Sequence, residues 1–239
     1  MSPLLVHALT RGKGAERPSE GVGGRTLRCV PGGRLGAWAT AWEGGRPELA
    51  REELFAHHRL VEALSPCLPV RFGTWAADEA VLAELLRARE KEVLDALARV
   101  EGRRELAVTA LWREPSAPGP ATEPSAPGPA PETLAVGPGR RFLEERRAVG
   151  RALARRETRA RELSERLTEA LGLPPEAVKH RRCPSAAVAL SSAFLVPAEG
   201  ATALGQRLVG VGEGFPEVRL LVHGPWPPYS FVGAVEGDA

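Results

Sequence analysis

Two histidines stand side by side at His57-His58, and a third, His180, precedes Cys183 by three positions (HRRC). Imidazole and thiolate are the common ligands of zinc, so metal binding is the first chemistry to test. Residues 57 and 58 fall on a predicted helix, where neighbours point about 100° apart and do not converge on one ion. No Glu-x-x-His partner accompanies them, and HRRC has no second pair of ligands at metal spacing. Nucleophilic chemistry fares no better. There is no Gly-x-Ser-x-Gly. Ser191-Ser192 interrupt an apolar run, where a hydroxyl is buried, and Cys67 beside Pro66 and Leu68 reads as a small apolar residue. Gly137-Pro138-Gly139 lacks the strand and the Lys-Ser/Thr of a phosphate loop, and Pro138 removes an amide that a phosphate would need. Most carboxylates, such as Glu84 near Arg87, lie at ion-pairing spacing on helix faces. The expectation is a protein with no catalytic residues, no metal and no cofactor.

Two other features carry recognition chemistry. In residues 224–232 (GPWPPYSFV), Trp226, Tyr229 and Phe231 lie within six positions, and Pro227-Pro228 separate the first two. Proline holds the backbone extended, so the rings project in fixed directions at small entropic cost. They either fill the protein's own core or anchor a partner. Residues 140–171 hold ten Arg and six Glu on a helical pattern. That face is either an ion-paired helix surface or a site for RNA, a nucleotide or another acidic surface.

These features sit in a chain of 239 residues, 43% apolar and 26% charged, with 32 basic against 30 acidic groups. That supports a real core in one or two domains and argues against a duplex-wrapping nucleic-acid binder. There is no apolar run of membrane-spanning length and no signal-peptide pattern. Three scattered cysteines suit a reducing compartment, so a cytoplasmic protein is expected.

The elements divide at residues 114–131, EPSAPGPAT followed by EPSAPGPAP, a near-perfect nine-residue repeat with seven prolines. It can form neither helix nor ladder and reads as a spacer. The expected organisation is a first domain at 1–113, the Pro-rich linker at 114–131 and a second domain at 132–239. The first reads as a strand at 4–9, a Gly-rich loop at 11–25, and a hairpin of 27–30 with 35–42 about Pro31-Gly32-Gly33. A helix at 48–64, a strand at 67–75, a six-turn helix from Asp78 to Val100 and a closing strand at 105–112 follow. The second reads as a long helix at 140–171, a strand at 186–196, a helix at 201–211 and a strand at 217–223. In the long helix Phe142, Val149, Leu163 and Ala170, with Leu153, Ala160 and Leu167, make a heptad seam interrupted by Arg146 and Arg156. It packs against a partner helix or projects outward. The fold class is α+β in two domains: a modified ferredoxin-like sheet with helices on one face, then an α+β domain with a long amphipathic helix.

Four segments taken together resemble one family. CLPVRFGTW, with Pro69, Arg71, Phe72, Gly73 and Thr74, is similar to the "LPvrFGt" block of the gas vesicle GvpL/GvpF family. GPGRRFLEERR resembles that family's helix start, SSAFLVP its "N-x-AFLV" strand, and GPWPPYSFV its C-terminal block almost letter for letter. Ser191-Ser192 stand where the family has Asn, and the Pro-rich repeat is extra. The resemblance implies a cytoplasmic, gas-vesicle accessory protein, a minor structural component or assembly factor and not an enzyme. Its implied partners are the hydrophobic shell subunit and other accessory gas vesicle proteins, with no nucleic acid and no membrane. Candidate family-motif or partner-binding residues are Arg71, Phe72, Gly73, Trp226, Pro227, Pro228, Tyr229 and Phe231. An RNA- or nucleotide-binding regulator acting through the Arg-rich helix is the alternative.

Overall fold

The computed structural model describes residues 2–12, 18–42, 50–113, 138–182 and 187–232. The Pro-rich repeat, part of the Gly-rich loop and Cys183 lie outside the described residues.

Two antiparallel sheets form the frame. In the first, β1 (Leu4–Arg11) lies between the hairpin of β2 (Leu27–Gly32) with β3 (Leu35–Ala41) and two short strands, β4 (Leu68–Pro69) and β5 (Trp75–Ala76). The hairpin turn needs a left-handed residue, and Gly33 supplies it at φ 61°. A register shift between Val6 and Ala8 lets β1 feed both faces of its sheet. Leu4, Val6 and Leu9 join the core under α2 (Glu79–Ala88) and α3 (Glu90–Val100). Leu5, His7 and Ala8 turn toward α1 (Arg51–Ala63). Helices therefore flank this sheet on both faces and not on one as expected, with α1 opposite α2 and α3.

Three segments depart from their predicted form. The 67–75 strand is broken: the chain pairs with β1 at Leu68–Pro69, swings out through residues 70–74 and returns at Trp75–Ala76. The helix after Asp78, whose carboxylate accepts from the Val81 N–H at 2.9 Å, breaks at Arg89. There Glu90 turns to accept from the Arg34 N–H and Nε at 2.8 and 2.9 Å, fastening α3 to the hairpin turn. The strand expected to close the first domain, β6 (Arg103–Trp112), lies in the second sheet, hydrogen-bonded to β8 (Val188–Pro197) and β9 (Val218–Trp226). Alternation within residues 105–112 shows a half-buried strand but cannot name its neighbours.

The second sheet runs β7-β8-β6-β9, with β7 at Val178–Arg182, a strand the apolar pattern did not announce. Leu106, Val108 and Ala110 of β6 face α4 (Pro138–Leu171) and α5 (Ala201–Val211) in a second core. The opposite face contributes Ala193 and Leu195 to the core of the first sheet, where Phe231 and Ala177 join them. The two sheets thus share apolar packing. Among the described residues no helix is long and apolar enough to cross a membrane.

Candidate partner-binding groove

α1 begins where Glu53 accepts from the Ala50 N–H at 2.7 Å, a carboxylate placed at the positive end of the helix. It then packs Leu60, Val61 and Leu64 against the sheet. At 100° per residue, Phe55 lies half a turn from Leu64 and points away from that core. Leu54 and Phe55 are 46% and 52% exposed.

Facing them is the 70–74 loop. The Val70 N–H donates to the His7 carbonyl and the Val6 N–H to the Thr74 carbonyl, both at 2.9 Å, so β1 clamps the two ends of the excursion. Between them Gly73 takes φ 88°, and the Thr74 hydroxyl donates to the Arg71 carbonyl at 2.8 Å. This tight turn leaves Arg71 exposed and lays the half-buried Phe72 against the His57 ring at 5.2 Å.

The third wall is the end of β9. Gly224, at φ 111°, lets the strand cross β6 where a Cβ would meet the Glu105 carbonyl at 2.5 Å. Trp226 follows, then the buried pair Pro227-Pro228 and a short turn of Tyr229, Ser230 and Phe231. Glu105, itself buried, holds this turn: its two carboxylate oxygens accept from the Ser230 N–H at 2.8 Å and the Ser230 hydroxyl at 2.7 Å. Burial raises the Glu105 pKa, opposed by the Ser230 hydrogen bonds and by Lys179.

The three walls enclose an apolar groove of about 660 Å³, lined by Leu54, Phe55, His57, His58, Val70, Arg71, Phe72, Trp226, Tyr229 and Val232 among others. Trp226 is 41% exposed at its margin, with the His58 ring edge-on at 5.9 Å and the His223 ring stacked at 5.8 Å. His58 also stacks on Tyr229. Burial raises the Tyr229 phenol pKa, and its hydroxyl has no hydrogen-bond partner among the described residues.

A buried polar chain braces the floor. His57 Nε2 lies 3.1 Å from the Val70 carbonyl, which can only accept, so Nε2 carries the proton and Nδ1 accepts. His7 Nδ1, 3.0 Å away, is then the donor, and His7 Nε2 accepts from the Thr40 hydroxyl at 2.7 Å. Burial, then the neighbouring His57, lowers the His7 pKa to about 3. Burial also lowers that of His57 to about 4, against the Val70 hydrogen bond and with a smaller push from His58. Both rings stay neutral near pH 7 and tie sheet, helix and loop together.

Of the residues singled out by sequence, Arg71, Phe72, Trp226 and Tyr229 converge on the groove. Gly73 shapes its loop, and Pro227 and Pro228 lie buried behind Trp226. Phe231, 2% exposed, belongs to the core of the first sheet, so the aromatic segment divides between the two roles left open for it. Leu54, Phe55, His7 and Glu105 were not singled out. The position of Phe55 opposite the core stripe was a readable signal, whereas His7 and Glu105 meet partners 50 and 125 residues away.

Elsewhere, His180 Nδ1 sits 2.7 Å from the Ser192 hydroxyl and His180 Nε2 sits 2.9 Å from that of Thr168. Ser192 is buried in β8, and the trio pins β7 and β8 to α4. On α4, Arg159 donates to Glu217 at 2.6 Å and Glu162 at 2.5 Å, and Arg166 pairs with Glu169. Among the described residues no cluster of three or more His, Cys, Asp or Glu could hold a metal ion.

The family model of gas vesicle synthesis protein GvpL/GvpF matches residues 4–233. The chain belongs to the GvpL/GvpF family. Gas vesicle protein L of Streptomyces sp. (strain CB03234) is 29% identical over 257 residues, spanning 98% of this chain and 94% of that protein. The crystal structure of gas vesicle protein GvpF from Anabaena sp. PCC7120 superposes with a TM-score of 0.73 at 16% identity, over 97% of this chain and 96% of that one. GvpF from Microcystis aeruginosa gives 0.72 at 15%, over 97% and 99%. These two structures establish a shared α+β fold. Membership in GvpL/GvpF, a family of gas vesicle structural and accessory proteins, associates the chain with gas vesicles. Two blocks that resemble the family, LPVRFGT and GPWPPYSFV, form facing walls of the groove.

Proposed function

We propose that this chain is an accessory gas vesicle protein, a minor structural component or assembly factor, that binds the hydrophobic shell subunit in the groove between α1, the 70–74 loop and residues 226–232. It works in the cytoplasm at the forming vesicle, alongside other accessory gas vesicle proteins, and makes or breaks no covalent bond. The observation that carries this is the ring of exposed Leu54, Phe55 and Trp226 around a concave apolar surface. Clustered exposed apolar side chains mark interaction sites, and rigid walls lower the ordering cost of binding. A subunit that must polymerise through apolar surface aggregates if that surface is left bare, and a braced groove can cover it reversibly.

The test is a pull-down of the shell subunit by full-length protein, with Trp226→Ala and Phe55→Ala variants. Each truncation removes a side chain about half exposed, and circular dichroism checks that each variant stays folded. Each should weaken capture by about tenfold or more, as expected for loss of an aromatic anchor. Equal capture by wild type and both variants, or no capture by any, overturns the proposal.

A further inference from the structure

The groove leaves a second exposed surface unused, on the longest element among the described residues. α4 has 34 residues, about 51 Å at 1.5 Å per residue. Its C-terminal half packs into the second core through Ala160, Leu163, Leu167 and Leu171. Every residue from 149 to 155 is exposed, including the apolar Val149 and Leu153.

Charge divides along the same line. Residues 140–156 hold seven Arg and two Glu, while residues 157–171 hold three Arg and four Glu. Residues 146–156 therefore form a basic stretch that an acidic surface complements. The heptad seam says what else a partner brings. Steps of four and three residues run through positions 142, 146, 149, 153, 156, 160, 163 and 167. The last three are buried within the chain. The exposed stretch continues the seam as Arg146, Val149, Leu153 and Arg156, with the Arg156 guanidinium 5.7 Å from the Trp112 ring centre.

We propose that the face of α4 carrying Arg146, Val149, Leu153 and Arg156 docks an acidic amphipathic helix of another protein. That helix sets aliphatic side chains against Val149 and Leu153 and carboxylates opposite Arg146 and Arg156. Charged residues at seam positions select the partner and its register. A second copy of this chain is a poor match. Parallel pairing places Arg146 on Arg146, and antiparallel pairing of Val149 with Leu153 places Arg146 on Arg156. A lipid surface calls for a wide apolar face with bulky or aromatic residues, whereas 146–156 offers two aliphatic side chains. RNA binding has no use for an apolar seam. The surface lies on elements that do not line the groove, so the two could be occupied together.

The test uses the full-length chain and two synthetic helical peptides of about 21 residues, three heptads. Both carry Leu at the seam. One has Glu opposite positions 146 and 156, the other Lys. Anionic vesicles of phosphatidylserine with phosphatidylcholine, and a uridine homopolymer, are the competing probes. The Glu peptide should bind and the Lys peptide should not. Leu153→Ala should weaken binding by about tenfold, the cost of one buried leucine. The double variant Arg146→Glu with Arg156→Glu should reverse the preference between peptides. These side chains are exposed or half-buried, and circular dichroism checks that each variant stays folded. Absence of peptide binding, vesicle or RNA binding that Leu153→Ala leaves intact, or self-association that Leu153→Ala abolishes would each overturn the proposal. Because neither peptide contains shell-subunit sequence, failure here leaves the groove untouched.

Discussion

His7 and His57 act as neutral hydrogen-bonding pieces, and that makes the fold sensitive to acid. Their folded pKa values, about 3 and about 4, lie below the 6.5 of an unfolded histidine. Above pH 6.5 neither state holds the extra protons and the stabilisation is complete. Below pH 6.5 the unfolded chain takes up protons that the folded chain refuses, so stability falls until the folded values are reached. At about 1.4 kcal/mol per unit per histidine, moving from pH 7 to pH 5 should remove about 4 kcal/mol. Urea denaturation at the two pH values measures it, and equal midpoints would contradict the account. His57→Leu should halve that slope. At pH 7 it should cost about 2–4 kcal/mol, because His7 Nδ1–H and the Val70 carbonyl lose their partners. For His57 the absence of any second ligand at metal spacing argues against a metal site but leaves open whether the ring is structural or exposed. The role of His7 was not legible, since a lone histidine in an apolar strand does not announce a ring waiting 50 residues on.

At the scale of elements, the 70–74 loop shows how local chemistry makes a site. Gly73 alone permits its φ of 88°, and an alanine there is strained by about 1–2 kcal/mol. Gly73→Ala should therefore lower stability by about that amount in a urea melt. It should weaken shell-subunit capture further, because Arg71 and Phe72 move with the turn. Wild-type values for both would show that the turn does not set the groove. The hairpin, α1 and α5 follow from periodicity and from Pro and Gly placement, and were legible for that reason. The 67–75 strand was read as continuous because alternation does not reveal a left-handed residue. α2 and α3 were read as one helix because their three- and four-residue spacing passes through Arg89. They part at Arg89, next to Glu90, whose carboxylate meets Arg34 across 56 residues. β7 went unseen because the charged run Lys179-His180-Arg181-Arg182 hides an edge strand, where such residues protect against unwanted pairing.

For the whole molecule, the Pro-rich repeat made two units legible, but the structure does not cut the chain where the repeat does. β6 precedes the repeat, yet both of its neighbours, β8 and β9, follow it. Phe231, Leu195 and Ala193 likewise complete a core built mainly from residues before it. The groove has the same dependence, taking α1 and the 70–74 loop from one side and Trp226, Tyr229 and Val232 from the other. A fragment of residues 1–113 should therefore aggregate, since it exposes a ten-residue strand with two bare edges and the apolar Leu106, Val108 and Ala110. A protein cleaved within 114–131 should behave differently. The ladders of β6 with β8 and β9 and the shared core join the pieces, so they should stay together in size-exclusion chromatography and capture the shell subunit as the intact chain does. If the cleaved halves separate as folded species, or if 1–113 alone captures the subunit at full strength, the shared core and the two-sided groove are both wrong.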